Sequence, residues 1–312
     1  MSLSSNKIKE TCLVTGAAGF IGSHLSEALV GKGFKVIGID CFTDYYSKKI
    51  KESNLSALIN NRDFCFVDMD IRCPDIQGIV MDVEYIFHHA AQAGVRASWG
   101  KDFEIYTEYN IRGTQVLLEY AKESNKLKKF IYASSSSVYG DIKDIPMKET
   151  SYLQPVSPYG VTKLAAEHLC YLYWRNFGVK TVSLRYFTVF GPRQRPDMAF
   201  NKFVKAIETG GKITIFGDGK QTRDFTYVSD IVDGTIRAGQ SNVNGEVFNL
   251  AGGSRISVLD VISILEELTG KKANTEHIEH QKGDVKDTYG AVSYTHLRAH
   301  ETSLHLVCRL LL

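Results

Sequence analysis

Six short apolar runs recur along the first two thirds of the chain: TCLVT (11–15), KVIGID (35–40), DFCFVD (63–68), VEYIFHH (83–89), KKFIYAS (128–134) and KTVSLRY (180–186). Between them lie stretches of helical period, among them FIGSHLSEALVGKG, YNIRGTQVLLEYAKES and YGVTKLAAEHLCYLYWRNFG. Neighbouring strands can run parallel only if the chain crosses back over the sheet, and a helix is the usual crossover. The alternation therefore predicts an α/β fold, a doubly wound parallel sheet with helices on both faces. In such a sheet the carboxyl ends of all strands share one edge, where ligands bind. After about residue 186, loops rich in Gly, Pro and Arg (GPRQRPDM, FGDGKQTRDF) alternate with short helices (NKFVKAIETGG, SVLDVISILEELTG). They predict a second, smaller region packed on the sheet, which suits a length of 312 residues.

Composition excludes several classes of protein. Apolar residues make up 44% and charged residues 23%, ordinary for a globular chain with a large core. A net charge of +2 without a basic block points away from nucleic acid. The polar N-terminus MSLSSNKIKE leads straight into a strand, and no apolar run is long enough to span a bilayer, so neither a signal peptide nor a membrane segment is expected. Cys12, Cys41, Cys65, Cys73, Cys170 and Cys308 form no C-x-x-C pair. That spacing favours reduced thiols and a cytoplasmic protein over disulfides or zinc.

The first chemical motif is TGAAGFIG, Thr15 to Gly22, between the first strand and the first helix. Gly16, Gly19 and Gly22 permit a tight turn and bring backbone N–H groups, those of Phe20 and Ile21 included, close to a diphosphate at the helix N-terminus. Asp40 ends the second strand, where a carboxylate hydrogen-bonds both ribose hydroxyls of NAD and repels the extra phosphate of NADP. Asp70 and Ile71, after the third strand, are candidates for the adenine edge.

The second motif is SPYGVTK, Ser157 to Lys163, opening a long helix. Tyr159 and Lys163 are four apart and share a face, and an ammonium beside a phenol favours the phenolate. A free phenol titrates near ~10, so it serves as a base at neutral pH only with such help. A third feature, SSSSVYG (134–140), follows the fifth apolar run. Hydroxyls at that strand end open beside the nicotinamide and Tyr159, where one can hydrogen-bond a sugar hydroxyl turning into a carbonyl, while others cap the backbone.

On these motifs, with HHAAQAGVR (88–96), RYFTVFGPRQRPDM, GDGKQTRDFTYVSD and QKGDV, the chain resembles the extended short-chain dehydrogenase/reductase superfamily from about Thr11 to Tyr289. Within it the nucleotide-sugar epimerases and dehydratases are the most similar. The resemblance implies an NAD-binding Rossmann domain over 1–185 with about 226–250, and a substrate-binding region over 186–225 and 251–291. It implies NAD contacts from Ala90 and Ala91 as well as from the residues above, including Tyr159 and Lys163. It also implies that Ser135 is the catalytic hydroxyl beside Tyr159 and Lys163. Sugar 4,6-dehydratases carry an Asp-Glu pair at the next two positions and UDP-glucuronate decarboxylases a Glu, where this chain has Ser136 and Ser137.

The segments RYFTVFGPRQRPDMAF and AAQAGVR look most like those of UDP-glucuronate 4-epimerases. By that likeness Thr188 and the serine run cradle a C5 carboxylate, and Arg195 and Arg223 hold the diphosphate, for which guanidinium geometry is suited. Arg96 is a candidate for the phosphates or the carboxylate, or else a solvated loop arginine. A UDP-glucose or UDP-N-acetylglucosamine 4-epimerase is the alternative substrate class, and a non-catalytic NAD-binding regulator the alternative role. A homodimer through a four-helix contact is implied by the family.

From about residue 291, AVSYTHLRAHETSLHLVCRLLL departs from the family pattern. It is similar to a translated sequencing-adapter read-through, which implies a truncated substrate region and a non-native tail over 292–312. His296, His300 and Glu301 fall there, but the Glu lies outside the two histidines, so the H-E-x-x-H motif is unmet and no metal site is expected.

Overall fold

All six apolar runs become strands of one sheet. The computed structural model describes residues 9–291, so the tail with His296, His300 and Glu301 lies outside the described residues. The first part runs β1 (Thr11–Thr15), α1 (Phe20–Gly31), β2 (Lys35–Asp40), α2 (Lys48–Asn54), β3 (Phe64–Asp68), α3 (Ile76–Met81) and β4 (Tyr85–His88). Next come α4 (Phe103–Tyr106), a π-helical turn (Thr107–Arg112), α5 (Gly113–Glu123), β5 (Lys129–Ser135), α6 (Pro158–Phe177) and β6 (Thr181–Tyr186). The rest comprises β7 (Thr188–Phe190), α7 (Ala199–Thr209), β8 (Lys212–Phe216), β9 (Thr222–Tyr227), α8 (Val228–Gln240), β10 (Glu246–Leu250), β11 (Arg255–Ser257), α9 (Val258–Thr269) and β12 (Asn274–Ile278).

The main sheet has the order β3-β2-β1-β4-β5-β6-β10, with every pairing parallel. Its central strands are covered on both faces, which is why β1, β5 and β6 read as unbroken apolar runs rather than alternating ones. One face packs Leu25 and Leu29 of α1 with Ile231 and Ile236 of α8. The other packs Ile76, Leu117, Leu118, Ala166 and Cys170 of α3, α5 and α6. The chain winds outward from β1 in one direction and from β4 in the other, so the β1–β4 boundary is the switch point where an open sheet leaves a crevice.

Two small sheets, β11-β9-β7 and β12-β8, carry the rest of the chain with α7 and α9. The periodicity of the sequence does not disclose them, because their strands are three to six residues long and partly exposed. Phe190, Phe200, Phe203, Ile213, Ile215, Phe225, Val261 and Leu265 form their own core. By contrast α8 and β10, which follow β9, return to the main sheet, α8 against α1 and β10 beside β6.

Asp224 of β9 joins these parts. It is wholly buried, and its two oxygens accept the N–H groups of Gly252 at 2.8 Å and Gly290 at 3.1 Å. Burial pushes its carboxyl up to about 7 against those hydrogen bonds. Asp224→Ala leaves two buried donors unpaired. The expected loss is about 2–4 kcal/mol, read as a lowered urea midpoint with an unchanged m value.

Candidate active site

The site begins where β1 turns into α1. Gly16 has a left-handed φ of 70°, and a Cβ on it would stand 2.9 Å from the Ala90 nitrogen. A Cβ on Gly22 would come within 2.1 Å of the Gly16 carbonyl oxygen. Only glycine lets helix and turn approach so closely. The N-terminus of α1 has no side-chain cap, and Gly16, Gly19, Phe20, Ile21 and Gly22 line a cavity. Uncapped N–H groups at a positive helix end fit a diphosphate. Asp40, Asp70, Ile71, Ala90, Ala91, Tyr159 and Lys163 line the same cavity. The residues present thus fit a dinucleotide such as NAD.

Two of these acids have partners that the sequence does not announce. Lys51 of α2 puts its ammonium 3.5 Å from Asp40, and both side chains are nearly buried. Arg72 donates to both oxygens of Asp70, so only spare acceptor capacity remains for an adenine edge. His88 is spoken for at both ring nitrogens, by Thr15 and Thr114, and burial holds its pKa well below the usual range. It is a buried link between β1, β4 and α5.

Tyr159 and Lys163 stand on the first turns of α6, whose start is fixed by Ser157, a cap accepting the Gly160 N–H at 3.1 Å, and by Pro158 in the first turn. Burial pushes the Tyr159 phenol up, while Arg195 and the Ser135 hydroxyl pull it down. The Lys163 amine, on the same face of α6, lies over the Tyr132 ring, 4.4 Å from its centroid, and burial lowers it to about 7. Ser135 accepts the Ser137 N–H at 3.1 Å and so shapes the turn Ser136–Val138.

Asn110, inside the π-helical turn, escaped the sequence reading. It accepts the Gln92 N–H at 2.7 Å and donates at 3.0 Å to both the Gln92 carbonyl and the Thr162 hydroxyl. Thr162 in turn donates to the Tyr159 carbonyl, so Asn110 ties the β4 loop to α6. An Asn five residues after a solvated-looking FEI segment carries no sequence signal of this; the π turn in which it sits aims it inward.

A second cavity opens across the edge of the sheet, lined by Arg96, Thr188, Arg195, Arg223, Asp284 and aromatic residues of the smaller core. A third, adjoining it, is lined by Ser136, Ser137, Thr188, Arg223 and Thr288. Arg195 and Tyr45 line both the first cavity and the second. Arg195 forks onto Asp197 with two contacts of 2.9 Å, and the Tyr45 hydroxyl donates to the same carboxylate at 3.1 Å. Arg96 is exposed but partnered: it forks onto Asp284 and its guanidinium lies 3.7 Å from the Phe216 ring centroid. Arg223 donates to the carbonyls of Thr222, Val285 and Lys286, which aims it from the strand toward the 284–288 segment.

The sequence profile of the NAD dependent epimerase/dehydratase family matches residues 12–251, and the chain belongs to that family. It is 45% identical over 283 residues to an uncharacterised UDP-glucose epimerase of Bacillus subtilis, covering 90% of this chain and 89% of the relative. It is 41% identical over 285 residues to a UDP-glucuronate 4-epimerase of Thermodesulfobacterium geofontis, covering 90% and 87%. A crystal structure of the UDP-glucuronic acid 4-epimerase of Bacillus cereus, in complex with UDP-glucuronic acid and NAD, superimposes with a TM-score of 0.92 at 44% identity, covering 96% of this chain and 97% of that one.

The glycine cradle makes a paired prediction. Gly22→Ala forces its Cβ against the Gly16 carbonyl and should abolish NAD binding in isothermal titration calorimetry. Gly31→Ala, at the other end of α1 with nothing within 4 Å, should leave NAD affinity unchanged.

Proposed function

We propose that the chain epimerises C4 of a UDP-hexose with NAD as its cofactor, and that UDP-glucuronate, converted to UDP-galacturonate, is its main substrate. The observation that carries this reading is that Tyr159, hydrogen-bonded by Ser135, and Lys163 line the glycine-cradled cavity, while the next serines, Ser136 and Ser137, line a pocket with the hydroxyls of Thr188 and Thr288 and the Arg223 guanidinium. Asp284 also lines that pocket, but Arg96 engages both of its oxygens. No carboxylate stands where a dehydratase has its acid and base.

In this reading the Tyr159 phenolate, favoured by Arg195 and Ser135, takes the C4 hydroxyl proton, and the Ser135 hydroxyl bonds the same oxygen as it becomes a carbonyl. NAD, when bound, supplies a hydride acceptor that gives the hydride back to the same carbon. Arg195 and Arg223 hold the diphosphate while the 4-keto sugar turns to present its other face, and Tyr159 then returns the proton. Ser136 and Thr188 hold the C5 carboxylate through neutral hydrogen bonds, which neither protonate nor expel it. Arg96, paired with Asp284, stands where it meets phosphate or carboxylate. We also read residues 1–185 with 226–250 as the NAD-binding unit, and 186–225 with 251–291 as the substrate unit.

We further read the protein as a cytoplasmic homodimer. The free thiols of Cys12, Cys41, Cys65, Cys73 and Cys170 support the first part. Val161, Leu172 and Phe177, exposed along α6, support the second. No described helix is long and apolar enough to cross a membrane.

The test is a proton NMR assay with UDP-glucuronate, UDP-glucose and UDP-N-acetylglucosamine as separate substrates. Only UDP-glucuronate should be turned over rapidly, and faster turnover of either neutral sugar replaces the proposed substrate with that one. Tyr159→Phe should lower kcat by about 10²–10⁴-fold, and full activity in this variant removes Tyr159 as the base. Ser136→Glu should raise the share of decarboxylated product, and an unchanged product ratio counts against the neutral pocket.

A further inference from the structure

Two buried charges that the proposed chemistry leaves unused lie beneath the catalytic helix. Glu167 follows Lys163 by four residues, as Lys163 follows Tyr159, so all three share one face of α6. The Glu167 and Arg185 side chains are 4% and 3% exposed. Arg185, on β6, donates through Nη2 to Glu167 Oε1 at 2.5 Å and through Nε to Oε2 at 3.1 Å. Ser134, next to Ser135 and in register with Arg185, donates to Oε2 at 2.8 Å. Arg185 Nη1 spends its bonds on the Tyr139 hydroxyl and the Glu149 carbonyl. Buried ion pairs of this kind are often no more stabilising than apolar residues of the same shape. Their placement therefore calls for a reason other than stability.

We propose that Glu167 is a positioning residue for the reaction: held by Arg185 and Ser134, its carboxylate orients the Ser135 end of β5 and sets a balancing negative charge one helical turn behind Lys163. The proposal rests on the reading of Tyr159 and Lys163 as the catalytic pair. The groups around Lys163 leave this task to few others. From α6 come Tyr159, Glu167 and Cys170, and burial pushes the Cys170 thiol up so that it stays neutral. From β5 comes the Tyr132 ring, from the end of β4 comes His88 and just after it His89, both lowered by burial and hence uncharged near neutrality. Arg195, from the loop after β7, acts on Tyr159. Burial drives Lys163 down, and Cys170 and then Glu167 oppose it.

The sign of the effect follows from proton counting. The active pair holds one proton between phenol and amine; gaining a second at low pH or losing the first at high pH ends activity. Taking away the carboxylate while Arg185 stays adds net positive charge beside the pair, which makes each proton easier to lose. Both limbs of the bell-shaped profile then move to lower pH.

The experiment is the pH dependence of kcat for the NAD-loaded enzyme and its variants. Glu167→Gln should move both limbs to lower pH by on the order of one unit. Arg185→Gln, which removes the cation and leaves the carboxylate, should move the alkaline limb to higher pH. The double variant Glu167→Gln/Arg185→Gln, net neutral again, should return the limbs to their original positions. A residue with a merely structural role lowers kcat without displacing them. An alkaline limb unmoved in both single variants overturns the proposal, and if Glu167→Gln is not recovered folded, Arg185→Gln and the double variant decide by the same rule. An active Tyr159→Phe enzyme would instead remove the underlying catalytic reading, so the two failures are distinct.

Discussion

The Glu167–Arg185 pair is the interaction on which the working edge of the sheet hangs. It joins α6 to β6, reaches β5 through Ser134, and through Tyr139 and Asn249 reaches the turn after β5 and the last strand, β10. Desolvating two charges is costly, and the cost is tolerable only because the carboxylate and guanidinium bond each other, Ser134 and Tyr139. A ring of apolar residues could fill the same volume, but it would not dictate which hydroxyl of a four-serine run faces inward. Ser134 is committed to Glu167, Ser135 to the turn and Tyr159, and the remaining two line the third cavity.

A parallel sheet then does the rest by geometry. All its strands deliver their carboxyl ends to one edge, so residues from four loops meet there although they are far apart in the chain. The glycine turn after β1 and the Ala90–Ala91 segment after β4 flank the switch point. The catalytic helix enters from one side and the loop after β7 from the other. That loop carries Arg195 into both cavities, where, in our reading, its charge serves the phenol and the diphosphate. Tyr45, Asp197 and Arg195 form the contact between the nucleotide side and the sugar side.

Much of this was legible in the chain. The six apolar runs became strands within one or two residues, because a strand buried on both faces must be apolar throughout and leaves little doubt about its place. The glycines at 16, 19 and 22 were legible because only one residue type tolerates their contacts. What escaped was whatever depends on partners distant in sequence: the short strands β7, β8, β9, β11 and β12 of the two small sheets, partly exposed and without period, the inward turn of Asn110, and Lys51 beside Asp40. Lys163 shows the division plainly: spacing puts it on the Tyr159 face of the helix, but only the fold lays its amine over the Tyr132 ring and buries it.

By itself, then, the sequence determined the parallel sheet, the dinucleotide cradle and the identity of the Tyr, Lys and Ser at its edge, since each follows from local periodicity, steric demand or i to i+4 spacing. Only the tertiary structure decided which charges act on which groups. Arg185 faces Glu167 and Arg96 faces Asp284, across spans of 18 and 188 residues. Electrostatic effects fall off with distance in space and deepen with burial, and neither quantity can be read from separation along the chain.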